Sequence, residues 1–247
     1  MAVKAHVKPE TFATPRPFAS WLQLARDYVA LLKPRIILLL VVTELSAMIV
    51  AARGWPSPVV LIGSLLGGAM AAGGAGAINC WFDRDIDQLM PRTRRRAIAA
   101  GRISPAAGLT FGIAVGLGGV ALIAVSSNRL AASLALAGGL VYVFVYTMWL
   151  KRSTAQNIVI GGAAGAFPPL VGWAAVTGSL SPLAWALFAI VFFWTPPHFW
   201  ALALLLSRQY SAAKVPMLPV VAGERRTRLS ILFYSLLMLG VSALPIV

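Results

Sequence analysis

The stretch from Pro58 to Asp87 reads PVVLIGSLLGGAMAAGGAGAINCWFDRDID. Up to Cys80 it carries no charge, and a helix needs about 20 such residues, at about 1.5 Å each, to cross the hydrocarbon core of a bilayer. Charge then arrives all at once, as Asp83, Arg84, Asp85 and Asp87. A segment that is apolar on every side and ends abruptly in charge reads as a membrane span reaching water. The fold question becomes how many such runs the chain holds.

Working outward, seven runs can be drawn, at about residues 35–52, 58–80, 106–125, 130–150, 156–177, 183–206 and 229–247. None alternates polar with apolar positions, so a transmembrane β-barrel does not fit. The expected fold is all-α, a multi-pass transmembrane helical bundle with about seven spans. Composition agrees: 59% of the 247 residues are hydrophobic and only 11% charged, against about 25% charged in soluble domains. The net charge of +14 sits in loops between apolar runs. It calls for the lipid bilayer as partner and no nucleic acid.

Of the 21 lysines and arginines, all but Arg53 and Arg129 fall on one set of loops and the amino-terminal arm. By the positive-inside rule that side is cytoplasmic, which places the amino terminus in the cytoplasm and the chain in the inner (cytoplasmic) membrane. Residues 1–20 are expected to be a mobile cytoplasmic arm without a cleavable signal sequence, residues 21–32 a short interfacial helix, and residues 21–247 the membrane domain. Cys80 is the single cysteine, so no internal disulfide forms. Small residues crowd Gly67–Gly76 and Gly161–Ala166. Helices in lipid associate by close backbone approach, so these stripes are read as packing faces, with a widened ligand cavity as the second reading.

Chemistry concentrates where the second run ends. Asn79, Asp83 and Asp87 stand at i, i+4 and i+8, on one face of a helix with Cβ atoms about 6 Å apart; Asp85 points the other way. Two carboxylates sharing a face at the membrane boundary repel one another, and a divalent cation relieves that. Mg2+ takes one or two carboxylates, waters and substrate phosphate, and the Asn79 amide can add a neutral oxygen. Arg92, Arg94, Arg95, Arg96 and Arg102 follow at once, and the planar arginine fork suits phosphate. Carboxylates, metal and arginines together describe a diphosphate site. A solvated loop whose aspartates and arginines pair with each other is the other reading of the same residues.

Asn79-Cys80-Trp81-Phe82-Asp83-Arg84-Asp85-Ile86-Asp87 resembles the N-x-x-x-D-x-x-x-D signature of the UbiA-type intramembrane prenyltransferases. Further runs resemble the heme O synthase branch of that superfamily: Leu150 to Gly162, Phe167-Pro168-Pro169-Leu170-Val171-Gly172-Trp173, Trp194-Thr195-Pro196-Pro197-His198-Phe199-Trp200 and Val215-Pro216-Met217-Leu218-Pro219. The resemblance covers about residues 25–245. It implies a nine-helix fold, of which this chain would lack the carboxyl-terminal helices. It implies farnesyl diphosphate bound through Mg2+ on Asn79, Asp83 and Asp87, heme B as acceptor and heme O as product. Heme A synthase or terminal oxidase assembly proteins would be partners. Arg92, Arg94, Arg96, Arg102, Lys151 and Arg152 become candidates for the diphosphate or the heme propionates. Trp81, Phe82, Tyr142, Tyr146, Trp149 and Phe193 become candidate lining for a dry cavity.

Two departures from the branch stand out. Ahead of Tyr210, where the branch carries an acidic residue, this chain has Gln209. A second Mg2+ held wholly by carboxylates is therefore not expected, and Arg208, Tyr210 and Lys214 are candidates to hold phosphate directly. The second departure is the shorter length. His198 follows Pro196-Pro197 in an apolar run. Its two readings are a polar residue satisfied within its helix and, from the branch, a heme contact. Prenylation of another acceptor such as a quinone precursor, and a non-catalytic heme-handling protein, stay open beside heme farnesylation.

Overall fold

Three Ser-Pro pairs, Ser57-Pro58, Ser104-Pro105 and Ser181-Pro182, each start a long helix. The serine oxygen accepts a backbone N–H from the first turn, from Val60, Ala107 and Ala184 respectively. Proline follows at the first helical position, where its missing N–H costs nothing. The computed structural model describes residues 21–244. The arm expected at residues 1–20, with His6 in it, lies outside the described residues.

The described chain is helical. Helix α1 (Trp21–Leu31) precedes α2 (Pro34–Ala52), α3 (Pro58–Phe82) and the short α4 (Arg84–Leu89); α5 (Pro105–Ser126) follows the arginine-rich loop. Helix α6 (Arg129–Leu140) runs on as a π-helical stretch, Val141–Leu150, and the turn α7 (Lys151–Ser153). Then come α8 (Asn157–Thr177), α9 (Pro182–Leu205), α10 (Ser207–Ala212) and α11 (Leu218–Ser242). Among the described residues six helices are long and apolar enough to span a bilayer: α2, α3, α5, the continuous Arg129–Ser153, α8 and α9. The seventh expected run falls on the second half of α11. That helix bends at Gly223, whose φ of 77° suits glycine, and its first half carries Glu224, Arg225, Arg226 and Arg228. Where residues 21–32 were expected to form a short helix, α1 stands.

Glycine sets the helix spacing. A Cβ on Gly74 would stand 2.5 Å from the Gly112 carbonyl oxygen and the Gly116 nitrogen, and one on Gly67 would stand 2.7 Å from the Gly119 oxygen. The stripe on α3 is thus its contact with α5, the packing reading. On α8, Gly161 makes room for the Tyr146 ring, whereas Gly165 faces open space. Glu44 of α2 lies buried between α3 and α8 and accepts a hydrogen bond from Ser64 Oγ at 2.7 Å.

At the end of the bundle where α3 turns into α4, one apolar cluster joins three loop regions. Ile86 and Met90 pack with Ile158 of α8, Ala203 of α9 and Ala213, Val215 and Met217 ahead of α11, with Tyr146 and Tyr210 against them. This cluster supports the first acidic motif on one side and the Val215–Pro219 segment on the other.

Candidate active site

Asn79, Asp83 and Asp87 keep their helical register although α3 formally ends at Phe82. The Asp83 N–H donates to the Asn79 carbonyl (2.9 Å) and the Asp87 N–H to that of Asp83 (2.8 Å). The three side chains are buried, at 3%, 0% and 2% exposure, so they face the protein and not the loop solvent. Asp85 points outward, as its offset from that face requires, with 61% of its side chain exposed.

Each inward group meets a cation. Lys151 Nζ donates to Asp83 Oδ2. Arg96 Nη1 donates to both Asp87 oxygens at 2.9 and 2.8 Å. Lys33 Nζ donates to Asn79 Oδ1 at 2.6 Å and to the Tyr142 hydroxyl at 3.2 Å. The Asn79 amide nitrogen in turn donates to Asp83 Oδ2 (2.8 Å) and Thr147 Oγ1 (3.0 Å). Arg152 grips the outward Asp85 with two hydrogen bonds of 2.8 Å and stacks over Phe82 at 4.7 Å. Its guanidinium holds the Asp85 carboxyl down to about 2. Asp83 Oδ1 is buried without a hydrogen-bond partner; Arg152 Nη2 stands 3.6 Å away, beyond bonding reach.

The π-helical stretch explains how the far wall reaches this cluster. Wider turns are uncommon and recur at functional sites. Here they carry Tyr142, Tyr146 and Thr147, with Tyr142 and Tyr146 stacked at 5.6 Å. Thr147 and Tyr142 are the groups that touch Asn79 and Lys33.

The donor set suits a magnesium ion. It offers two carboxylates and an amide oxygen, all hard ligands, with one carboxylate oxygen buried and unpartnered. Among the described residues no three His, Cys, Asp or Glu side chains group around a common point. The remaining ligands would therefore come from water and substrate phosphate, which is how Mg2+ is usually held.

The other expected site residues separate into two groups. Arg96, Lys151 and Arg152 converge on the aspartates. Tyr210 packs beside Tyr146, which brings α10 to the same end of the bundle. Gln209 is oriented with its Oε1 buried and unpartnered. Arg92, Arg94 and Lys214 are exposed. Arg102 turns away from the cluster to Asp27 of α1, through Nε at 2.8 Å and Nη2 at 2.9 Å. Its partner in this structure is thus a carboxylate of α1, away from the aspartates of the cluster. His198 is exposed on the outer face of α9, its ring stacked on Trp194 at 4.4 Å. The proline pair before it is buried, whereas His198 itself is exposed. Trp149 also faces outward, 65% exposed, and does not line the interior.

Sequence reasoning missed Lys33, Thr147 and Asp27. Lys33 was counted only as a topology charge. Its one distinguishing sign is its place directly before Pro34, and it adopts a left-handed conformation, φ 60°. That is an unfavourable state for a lysine, and such strain gathers at functional sites. Thr147 and Asp27 carry no spacing signal.

The family model described as "UbiA prenyltransferase family" matches residues 40–247. A protoheme IX farnesyltransferase of Symbiobacterium thermophilum is 58% identical over 222 residues, covering 90% of this chain and 74% of that protein. One of Chloroflexus aurantiacus is 53% identical over 242 residues, and this chain spans 41% of its length. One of Gloeobacter violaceus is 56% identical, with 71% of its length spanned. The solved UbiA homolog from Archaeoglobus fulgidus, bound to GPP and Mg2+, superposes with a TM-score of 0.75 at 19% identity, over 88% of this chain and 76% of that one. That likeness establishes the fold.

Proposed function

Because this chain belongs to the UbiA prenyltransferase family, in its protoheme IX farnesyltransferase branch, we propose that it transfers a farnesyl group from farnesyl diphosphate to a vinyl group of heme B, giving heme O. The observation that carries the reading is the buried set Asn79, Asp83 and Asp87 with Lys33, Lys151 and Arg96 against it. The same geometry that neutralises two carboxylates in the resting protein supplies cations for a diphosphate.

Magnesium bound on Asn79, Asp83 and Asp87 would offset charge on the diphosphate, as the Archaeoglobus relative's pairing with GPP and Mg2+ suggests. The chain's own residues do the rest. Lys33, Lys151 and Arg96 exchange their present partners for diphosphate oxygens, where negative charge grows as the C1–O bond breaks. The leaving diphosphate keeps the electron pair. The vinyl carbon of heme bonds to C1 of the farnesyl group, and water adds to the resulting cation with loss of a proton. Phe82, Tyr142 and Tyr146 keep other water from the allylic cation. His198, Tyr210 and Lys214 are assigned to the heme and phosphate periphery, His198 as the heme contact. The clustering of basic residues supports a cytoplasmic position for this end of the bundle and for the amino terminus, in the inner membrane of a cell. Heme A synthase or oxidase assembly proteins are the expected neighbours, since they would take the product.

The test is direct. The protein in lipid nanodiscs, given heme B, farnesyl diphosphate and Mg2+, should form heme O that is detected by mass spectrometry. It should form none when Mg2+ is chelated. Absence of heme O under the first condition, or equal amounts with and without Mg2+, would overturn the proposal.

A further inference from the structure

Helix α1 has two faces. Trp21, Leu22 and Val29 are exposed and apolar. On the opposite side Leu24, Tyr28 and Leu31 pack against Ala77 and Cys80 of α3 and against Ala97, Ile98 and Ile103 of the arginine loop. Tyr28 also meets Phe111 of α5 edge-on, with ring centroids 4.8 Å apart. Seated in this way, α1 forms a brace under the loop between α4 and α5.

One polar contact crosses that apolar seam. Asp27 is 5% exposed. Its carboxylate accepts from Arg102 Nε and Nη2, and from Gln23 Nε2 at 3.4 Å. The bidentate form fixes the guanidinium in both distance and orientation. Arg102 Nη2 also donates to the Arg95 carbonyl oxygen at 3.0 Å. The next residue, Arg96, holds Asp87 through Nη1. A continuous series of bonds therefore runs from α1 through Arg102 and the Arg95–Arg96 backbone to the acidic cluster. The carboxyl-terminal end of α1 leads, within two residues, to Lys33 on Asn79. The brace thus reaches the cluster by two routes, through Arg102 and through Lys33.

We propose that Asp27 and Arg102 form a latch by which α1 holds the arginine loop in place, making Asp27 a positioning residue for diphosphate binding. The inference rests on the reading of the cluster as a diphosphate site. Asp27 touches no part of that site; it acts by fixing Arg102, and through it the backbone that aims Arg96. Loss of the latch leaves Arg96 present but no longer held. Binding of diphosphate therefore weakens, and turnover falls with it, because Arg96 also meets the charge that grows on the leaving group.

The experiment compares the parent protein, Asp27→Asn, Asp27→Glu and Arg102→Lys in nanodiscs. Two readouts need no heme: hydrogen exchange over residues 90–103, and calorimetric affinity for inorganic pyrophosphate with Mg2+. Asp27→Asn keeps the volume and removes the charge, and Arg102→Lys removes the fork. Both should speed exchange in the loop without altering it in α3, and weaken pyrophosphate about tenfold, the scale of one charge-assisted bond. Asp27→Glu should stay close to the parent. In turnover, kcat/KM for farnesyl diphosphate should fall by about tenfold or more in Asp27→Asn and stay near the parent's in Asp27→Glu. Unchanged loop exchange or unchanged pyrophosphate affinity in Asp27→Asn overturns the latch, as does a kcat/KM equal to the parent's. A parent that binds pyrophosphate yet makes no heme O would sink the acceptor assignment and leave the latch standing. A parent that binds no pyrophosphate overturns both.

Discussion

Replacing Asp83 by Asn separates what this carboxylate does for the fold from what it does for the reaction. Its side chain is fully buried and bonded to Lys151, whose own side chain is 17% exposed. The amide fits the same space, so the change is one of charge. It leaves the Lys151 ammonium inside the protein without its counter-charge, and breaking a buried pair from one side costs about 3–5 kcal/mol. Lys151 keeps some contact with solvent, which puts the expected loss at the low end, about 3 kcal/mol. Lys151→Met alone should cost a similar amount, since it strands the carboxylate. Asp83→Asn with Lys151→Met removes both charges, and stability should return to within about 1 kcal/mol of the parent. Activity should behave differently. Loss of one electrostatic contact at a developing charge typically lowers rate about 10²–10³-fold, and the second substitution removes another cation meant for the diphosphate. Unfolding of the nanodisc-bound protein, followed by tryptophan fluorescence, and heme O formation by mass spectrometry measure the two quantities side by side. A double variant that regains turnover along with stability would refute the reasoning, because Asp83 would then serve only to neutralise Lys151.

Three further outcomes are expected. A cysteine in place of the exposed Ala100 should be shielded from impermeant maleimides added outside intact cells and labelled once the membrane is opened; ready labelling from outside would invert the proposed orientation. His198→Ala should weaken heme B binding, read from the heme absorption spectrum, and leave pyrophosphate binding unchanged; identical heme spectra would make the histidine part of the outward stack with Trp194. Arg102 holds the Asp27 carboxyl below the usual aspartate range. Its contribution is therefore complete above the unfolded value near about 3.9 and disappears as pH falls through the lowered folded value. Hydrogen exchange in α1, corrected for the intrinsic rate, should be flat from about pH 7 to about pH 5 and rise only in stronger acid. A rise already near about pH 6 would show that another group governs the brace.

What could be read from the chain follows from which interactions are local. Spans are legible because the bilayer imposes about 20 apolar residues in a row, and the structure has helices at each expected run. The shared face of Asn79, Asp83 and Asp87 was legible because helical register carries across the α3–α4 junction. Lys33 and Thr147 were not legible. They reach Asn79 from 46 and 68 residues away, and nothing in their neighbourhoods announces the contact. The partner of Arg102 was not legible for a related reason. Its spacing in an arginine-rich loop suggests phosphate, and nothing in the loop announces Asp27, 75 residues earlier, to which it is bonded. His198 was singled out by the buried prolines beside it, yet a neighbour on a helix is turned about 100° away, so buried prolines say little about which way the histidine points.

The two readings of the acidic loop, metal site or self-paired charges, are compatible with one arrangement. Asp83 and Asp87 are paired with Lys151 and Arg96, as the second reading required. Those pairs, however, are buried beneath the bundle end and not spread over a solvated loop, and the cost of burying charge makes an unpartnered carboxylate untenable there. Two carboxylates facing a protein interior need compensation at all times. In the resting chain the cations supply it. In the proposed reaction a diphosphate arriving with a divalent ion would bring positive charge to the carboxylates with the ion, and negative charge to the freed lysine and arginine with the phosphate. Such an exchange would leave the charge balance nearly unchanged while the partners are replaced. The cost of entering a buried, highly charged site is thus largely met by groups already in place. A substrate lacking the diphosphate would gain none of this exchange and would leave the ion pairs closed.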